Sequence, residues 1–140
     1  MIIAIDFDGT CVTHDFPKVG KDIGAVPILK RIVEKGHKII LFTMRSDIQN
    51  PTSDDCGIIP ISGDYLTQAA IWFDRNGIKV WGINSNPEQK SWTHSPKPYA
   101  HMYIDDAALG CPLVYDSKIS ERPFVDWWQI KYQLEIKGII

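Results

Sequence analysis

Four aspartates, a threonine and two candidate lysines are the residues of this chain whose types and spacing suit chemistry. Asp6-Phe7-Asp8-Gly9-Thr10 closes one short apolar run, Thr43-Met44-Arg45-Ser46 closes a second, and Asp105-Asp106 closes a third. A carboxylate can attack a phosphoryl group and split a difficult displacement into two easier steps. Phosphate monoester hydrolysis needs such help, because acceleration of up to ~10²¹-fold is required. The attacking carboxylate and the phosphate repel each other, so a hard, oxygen-seeking cation such as Mg²⁺ is expected between them. Asp6 and Asp105 can supply its oxygen ligands. Asp8 lies two residues from Asp6, which puts both side chains on the same side of an extended segment. Crowded carboxylates push one another toward the protonated form, and a protonated Asp8 can serve a leaving alcohol and then take a proton from water. Gly9 allows a backbone conformation that other residues avoid. Thr43 can donate its hydroxyl to a phosphoryl oxygen, with Met44 and Arg45 on the loop beside it, and a lysine would neutralise the remaining charge.

The elements that must position these groups are short and alternate. Ile2–Ile5, Ile39–Phe42, Ile78–Trp81 and Met102–Ile104 are near-continuous apolar runs, the pattern of strands covered on both faces. Leu113–Tyr115 is a shorter fifth candidate. Between them, 24–35 carries Ile28, Leu29, Ile32 and Val33 on one stripe, with Pro27 in its first turn and Gly36 as a stop. Residues 64–76 carry Leu66, Ala69, Ala70 and Phe73 on one face, with Ser62 or Asp64 as cap and Gly77 as stop. Residues 123–137 place Phe124, Trp127, Trp128 and Leu134 at helical spacing. This alternation predicts an α/β, three-layer Rossmann-like fold around a mainly parallel sheet. Ligands of such sheets bind at the carboxyl ends of the strands, where the three polar closures stand. Two long loops, 46–63 with Pro51 and Pro60 and 84–98 with Pro87, Pro96 and Pro98, are of a length that favours function.

The strings quoted resemble signatures of the haloacid dehalogenase-like superfamily. Asp6-Phe7-Asp8-Gly9-Thr10 is similar to its first signature, Thr43 after Lys38–Phe42 to its second, and Asp105-Asp106 to its fourth. The resemblance implies Asp6 as nucleophile and Asp8 as general acid/base, with the Asp8 backbone carbonyl also reaching the metal. It implies Asp105 as a metal ligand, Asp106 in support directly or through water, and Mg²⁺ as the cofactor. It further implies a sheet with the first strand between the second and the fourth. The superfamily's third signature is a lone lysine, which Lys97 or Lys90 could fill; Lys97, eight residues before Asp105, is the preferred assignment. An aspartate at position 8 is the pattern of the superfamily's phosphatases and phosphomutases. Neither insertion point holds enough chain for a cap domain, so the expectation is a single capless domain over residues 1–140.

Composition narrows the partners. The length of 140 residues suits one domain of ~100–150 residues. A net charge of −2 gives no global attraction to nucleic acid or anionic membrane. No run approaches the ~20 apolar residues of a membrane helix, and Asp6 interrupts the first apolar run well short of a signal peptide. Cys11, Cys56 and Cys111 are odd in number and lack metal-ligand spacing, which suggests reduced thiols and a cytoplasmic setting. The expected partner is a small phosphate ester, with a nucleic-acid terminus and an oligomer as further options. Trp92 among Lys90, His94 and Lys97 could stack on a base, although anchoring its own loop is the simpler role. His14, His101, Trp127 and Trp128 read as structural, and Cys11 as no nucleophile. The rivals are a non-catalytic binding or regulatory module, a sugar-phosphate phosphatase or phosphotransferase, and a phospho-acceptor receiver. In a receiver the acidic pair follows the first strand, whereas here it comes last.

Overall fold

The computed structural model describes residues 1–49 and 62–140. Cys56, Pro51 and Pro60 lie outside the described residues. A four-stranded parallel sheet is built from β1 (Ile2–Ile5), β2 (Lys38–Leu41), β5 (Val80–Ile83) and β6 (Met102–Ile104), in the order β5-β2-β1-β6. The ribbon β3 (Asp47–Ile48) and β4 (Gly63–Asp64) joins the two ends of the loop expected over 46–63. The helices are α1 (Ala25–Glu34), α2 (Tyr65–Arg75) and α3 (Trp127–Ile136). None is long and apolar enough to cross a membrane.

Apolar alternation decides which face of the sheet is covered by what. Ile3, Ile5, Ile39, Leu41 and Ile104 pack with Leu29 and Ile32 of α1, Ala69 and Phe73 of α2, and Trp127, Ile130 and Leu134 of α3. The other face carries Ala4, Ile40 and Ala100, with Ile2, Phe42 and Trp81 against them. Among the described residues all three helices therefore belong to one side, and the expectation of three full layers is corrected there. Residues 84–101 occupy the second side as a loop with one 3₁₀ turn at Gln89–Ser91. Pro87, Pro96 and Pro98 deny that segment a helix. Two buried amides organise it instead. Asn86 donates to the Tyr99 carbonyl at 2.9 Å, and Gln89 donates to the carbonyls of Ser95 and Lys97 and accepts from the Tyr99 amide.

Local chemistry explains the boundaries. At the end of α2 the Gly77 amide reaches the Asp74 carbonyl and the Ile78 amide reaches Phe73, with Gly77 at φ 66°. This glycine stop consumes Ile78, so the third long strand starts at Val80 rather than at Ile78. The α2 N-terminus is not capped by Ser62 or Asp64. Asp47, from β3, accepts from the Thr67 amide at 2.9 Å and from its hydroxyl at 2.6 Å, and these bonds hold the Asp47 carboxyl below its usual range.

The chain after β6 departs most from expectation. Leu113–Val114 forms β7, but it pairs antiparallel with β8 (Phe124–Val125) and does not join the main sheet. Phe124 is thus a strand residue, and α3 begins only after Asp126, whose carboxylate caps the Trp128 and Gln129 amides. Trp127 faces the core, whereas Trp128 is 76% exposed and plays no packing role there. The Trp127 indole donates to the Thr10 carbonyl at 2.6 Å, and the Val125 amide donates to the Gly9 carbonyl at 2.8 Å. These two bonds tie the C-terminal elements to the turn after β1. Trp127→Phe keeps an aromatic ring but removes the indole N–H and strands a buried carbonyl, so urea unfolding is expected to show a loss of about 1–3 kcal/mol. An unchanged midpoint would mean that the indole bond does not anchor this turn.

Candidate active site

The sheet order sets the site. β1 lies between β2 and β6, with Ile5 level with both Leu41 and Ile104. Asp6 therefore leaves the sheet between Phe42 and Asp105, and the Thr43 and Asp105-Asp106 segments flank it. One carboxylate oxygen from each of Asp6, Asp105 and Asp106 lies within 4.8 Å of the others. All three residues are half-buried.

The turn after Asp6 is built to hold this crowd. The amides of Thr10, Cys11 and Val12 converge on the Phe7 carbonyl, and the Gly9 amide reaches Val12. The buried Thr10 hydroxyl lies 3.3 Å from Asp6 and 3.4 Å from Asp106, and it accepts from the Asp106 amide at 3.0 Å. Gly9 sits at φ 80°, and a Cβ there would stand 2.1 Å from His14 Nε2 and 2.8 Å from Asp106 Oδ2. Only glycine fits both the backbone conformation and the close approach. His14 Nε2 lies 2.9 Å from Asp106 Oδ2. His14 and Thr10 are thus site residues that the sequence reading missed. The Asp6-to-Thr10 string held the one hint, a hydroxyl four residues beyond the first acid, but nothing in the spacing connects His14 to Asp106.

Burial pushes the Asp6 carboxyl up to about 7, and the neighbouring charges of Asp105, Asp106 and Asp8 add to this, against a hydrogen bond from the Phe7 amide. A half-buried, all-oxygen trio is chemically suited to a hard cation such as Mg²⁺. The Cys11 thiol is raised by burial and donates to the Asp6 carbonyl at 3.2 Å, in keeping with no nucleophilic role.

The other expected site residues are dispersed. The Asp8 carboxylate is not part of the trio; both its oxygens turn to Arg45, at 2.6 and 2.7 Å. Arg45, expected beside the phosphate, is only 3% exposed. That expectation is corrected, because a buried guanidinium with its donors engaged has none left for substrate. Thr43 stands at the end of β2, its amide bonded to Asn84 Oδ1 at 2.8 Å and its hydroxyl accepting from the Arg45 amide at 3.2 Å. Met44 is 98% exposed. Lys97 and Lys90 are both exposed, and the Lys97 ammonium lies 5.1 Å from the centre of the Tyr103 ring, two residues before Asp105.

Fold and site together define an α/β protein with a parallel sheet, compatible with a Rossmann-like arrangement, and an acidic cluster at the carboxyl ends of its central strands. The chain is similar to a solved structure described as a conserved protein from Bacteroides thetaiotaomicron, with 29% identity and a TM-score of 0.70 over 98% of this chain and 91% of that one. No protein-family model matches the chain. No curated protein matches it either.

The raised Asp6 carboxyl has a signed consequence. Folded Asp6 keeps a proton up to about pH 7 that the unfolded chain releases near the ordinary aspartate value of 3.8. Its contribution to stability is therefore complete below about pH 4 and is lost as pH rises toward 7. In calorimetric melts of metal-free protein, Asp6→Asn is expected to gain stability relative to wild type between pH 4 and pH 8. Added Mg²⁺ at pH 8 is expected to stabilise wild type more than the variant. Parallel pH profiles for the two proteins would contradict this.

Proposed function

We propose that the chain is a magnesium-dependent phosphohydrolase of the haloacid dehalogenase-like type, without a cap domain, acting on phosphate monoesters through an aspartyl-phosphate. The observation that carries the reading is the convergence of the Asp6, Asp105 and Asp106 oxygens where the sheet order brings three strand ends together. The Asp6–Thr10 string, Thr43 and Asp105-Asp106, placed around that point, support the resemblance on which the class rests.

In this reading the Asp6 carboxylate attacks phosphorus and the bond to the ester oxygen breaks. Asp8 supplies the proton that the departing alkoxide takes up. Water then attacks the phosphoryl group, Asp8 accepts its proton, and the bond to Asp6 breaks to release inorganic phosphate. Asp8 can accept the proton from water because its side chain is still 18% exposed, and one guanidinium bond to each oxygen leaves each a free lone pair. Mg²⁺, held by Asp6, Asp105 and Asp106, would neutralise the charge between carboxylate and phosphate. Thr43 would donate to a phosphoryl oxygen from just beyond β2, and Lys97, over the Tyr103 ring two residues before Asp105, remains preferred to Lys90 as the charge-neutralising lysine. Exposed Trp92 and Tyr99 near Lys97 favour nucleotides and nucleic-acid termini as the first substrates to try, with sugar phosphates next.

A colorimetric assay over a panel of phosphate monoesters, with Mg²⁺ and with chelator, tests the proposal. Turnover is expected only with metal. Asp6→Asn is expected to abolish it, and Asp8→Asn to lower kcat by roughly 10²–10⁴-fold. Asp105→Asn is expected to raise the metal concentration needed for half-maximal rate. A wild-type protein inactive on the whole panel would favour a non-catalytic module instead.

A further inference from the structure

Arg45 is the most completely engaged side chain near the site. A guanidinium carries five N–H donors in a fixed plane. Here Nε donates to Asp8 Oδ2 at 2.6 Å, and Nη2 donates to Asp8 Oδ1 at 2.7 Å and to the Lys18 carbonyl at 2.6 Å. Nη1 donates to the carbonyls of Pro17 and Tyr65, at 3.4 and 3.3 Å. Five acceptors meet five donors. The side chain is 1% exposed, and the Phe7 and Phe16 rings lie 5.1 and 5.2 Å from its central carbon.

The geometry points to Arg45 as a positioning residue that sets the orientation of Asp8 for proton transfer, and not as a ligand of the phosphate. This rests on the phosphohydrolase reading above. Asp8 follows a strand on a turn, where a short side chain can adopt more than one rotamer, and general acid/base transfer depends on the donor atom's place. A bidentate guanidinium fixes the carboxylate in both position and plane, which a single hydrogen bond would not do. The guanidinium is fixed in turn. Its remaining donors reach the 17–18 segment and the first residue of α2, so the orientation of Asp8 is referred to two separate parts of the fold. Burying a charge this deeply is costly unless every donor finds a partner, and that condition is met here. A lysine at position 45 would bring a point charge with three rotatable donors, and could not hold both oxygens in one plane.

The test uses the full chain with Mg²⁺ and p-nitrophenyl phosphate, comparing wild type with Arg45→Lys, Arg45→Gln and Arg45→Ala. Misplacing a catalytic group by about 1 Å costs on the order of 100-fold, so kcat is expected to fall by about that factor while KM stays close to wild type. A phosphate ligand would instead raise KM. Millimolar methylguanidinium is expected to restore kcat to Arg45→Ala by tenfold or more, which a loss of general stability would not allow. If Arg45→Ala fails to fold, Arg45→Lys decides the matter by the same split between kcat and KM. An active wild type alongside Arg45→Gln or Arg45→Lys with unchanged kcat, or with a loss confined to KM, overturns this proposal and leaves the phosphohydrolase reading standing. A wild type without magnesium-dependent turnover defeats both.

Discussion

Three carboxylates share one small volume at the end of β1, and their mutual repulsion is the constraint around which the site is built. Burial opposes the ionisation of Asp6, and the charges of Asp105, Asp106 and Asp8 add to the cost. The fold accepts it through a rigid frame. Thr10 is fully buried and its hydroxyl lies between Asp6 and Asp106, while Gly9 leaves room for His14 to approach Asp106. Conformational freedom in that turn would let the acids move apart.

The frame extends well beyond the turn. Trp127 and Val125, more than a hundred residues away in sequence, bond to the carbonyls of Thr10 and Gly9. Arg45 reaches Asp8 from the end of β2. Asp47, two residues after Arg45, caps α2 from β3. The strand ends thus bring the reactive groups together, and long-range polar contacts fix their directions. A parallel sheet suits this division of labour, since all its carboxyl ends lie on one edge and can be connected by loops free to specialise.

Much of the architecture was legible in the chain. Near-continuous apolar runs gave the four long strands, because strands buried on both faces need no alternation. Helical spacing and glycine stops gave α1 and α2 almost residue for residue. Legibility failed where one residue type serves two structures. Phe124 fits a helical stripe by spacing, yet it pairs with Val114, because Asp126 caps the helix only afterwards. The proline-bearing loop over 84–98 was legible too, but not that it covers the second face of the sheet, held there by Asn86 and Gln89, because those bonds span up to 13 residues.

The sequence by itself determined which acids stand at strand ends, since a reactive group placed after an apolar run is a local pattern read from neighbours a few residues away. It also determined the element order and, through the short connections, the α/β class. Only the tertiary structure decided what each side chain meets. That Asp6 gathers with Asp105 and Asp106, that Asp8 turns to Arg45, and that His14 reaches Asp106 are contacts across 37 to 100 residues of chain. Such contacts follow from register and packing of the whole sheet, and no local spacing encodes them.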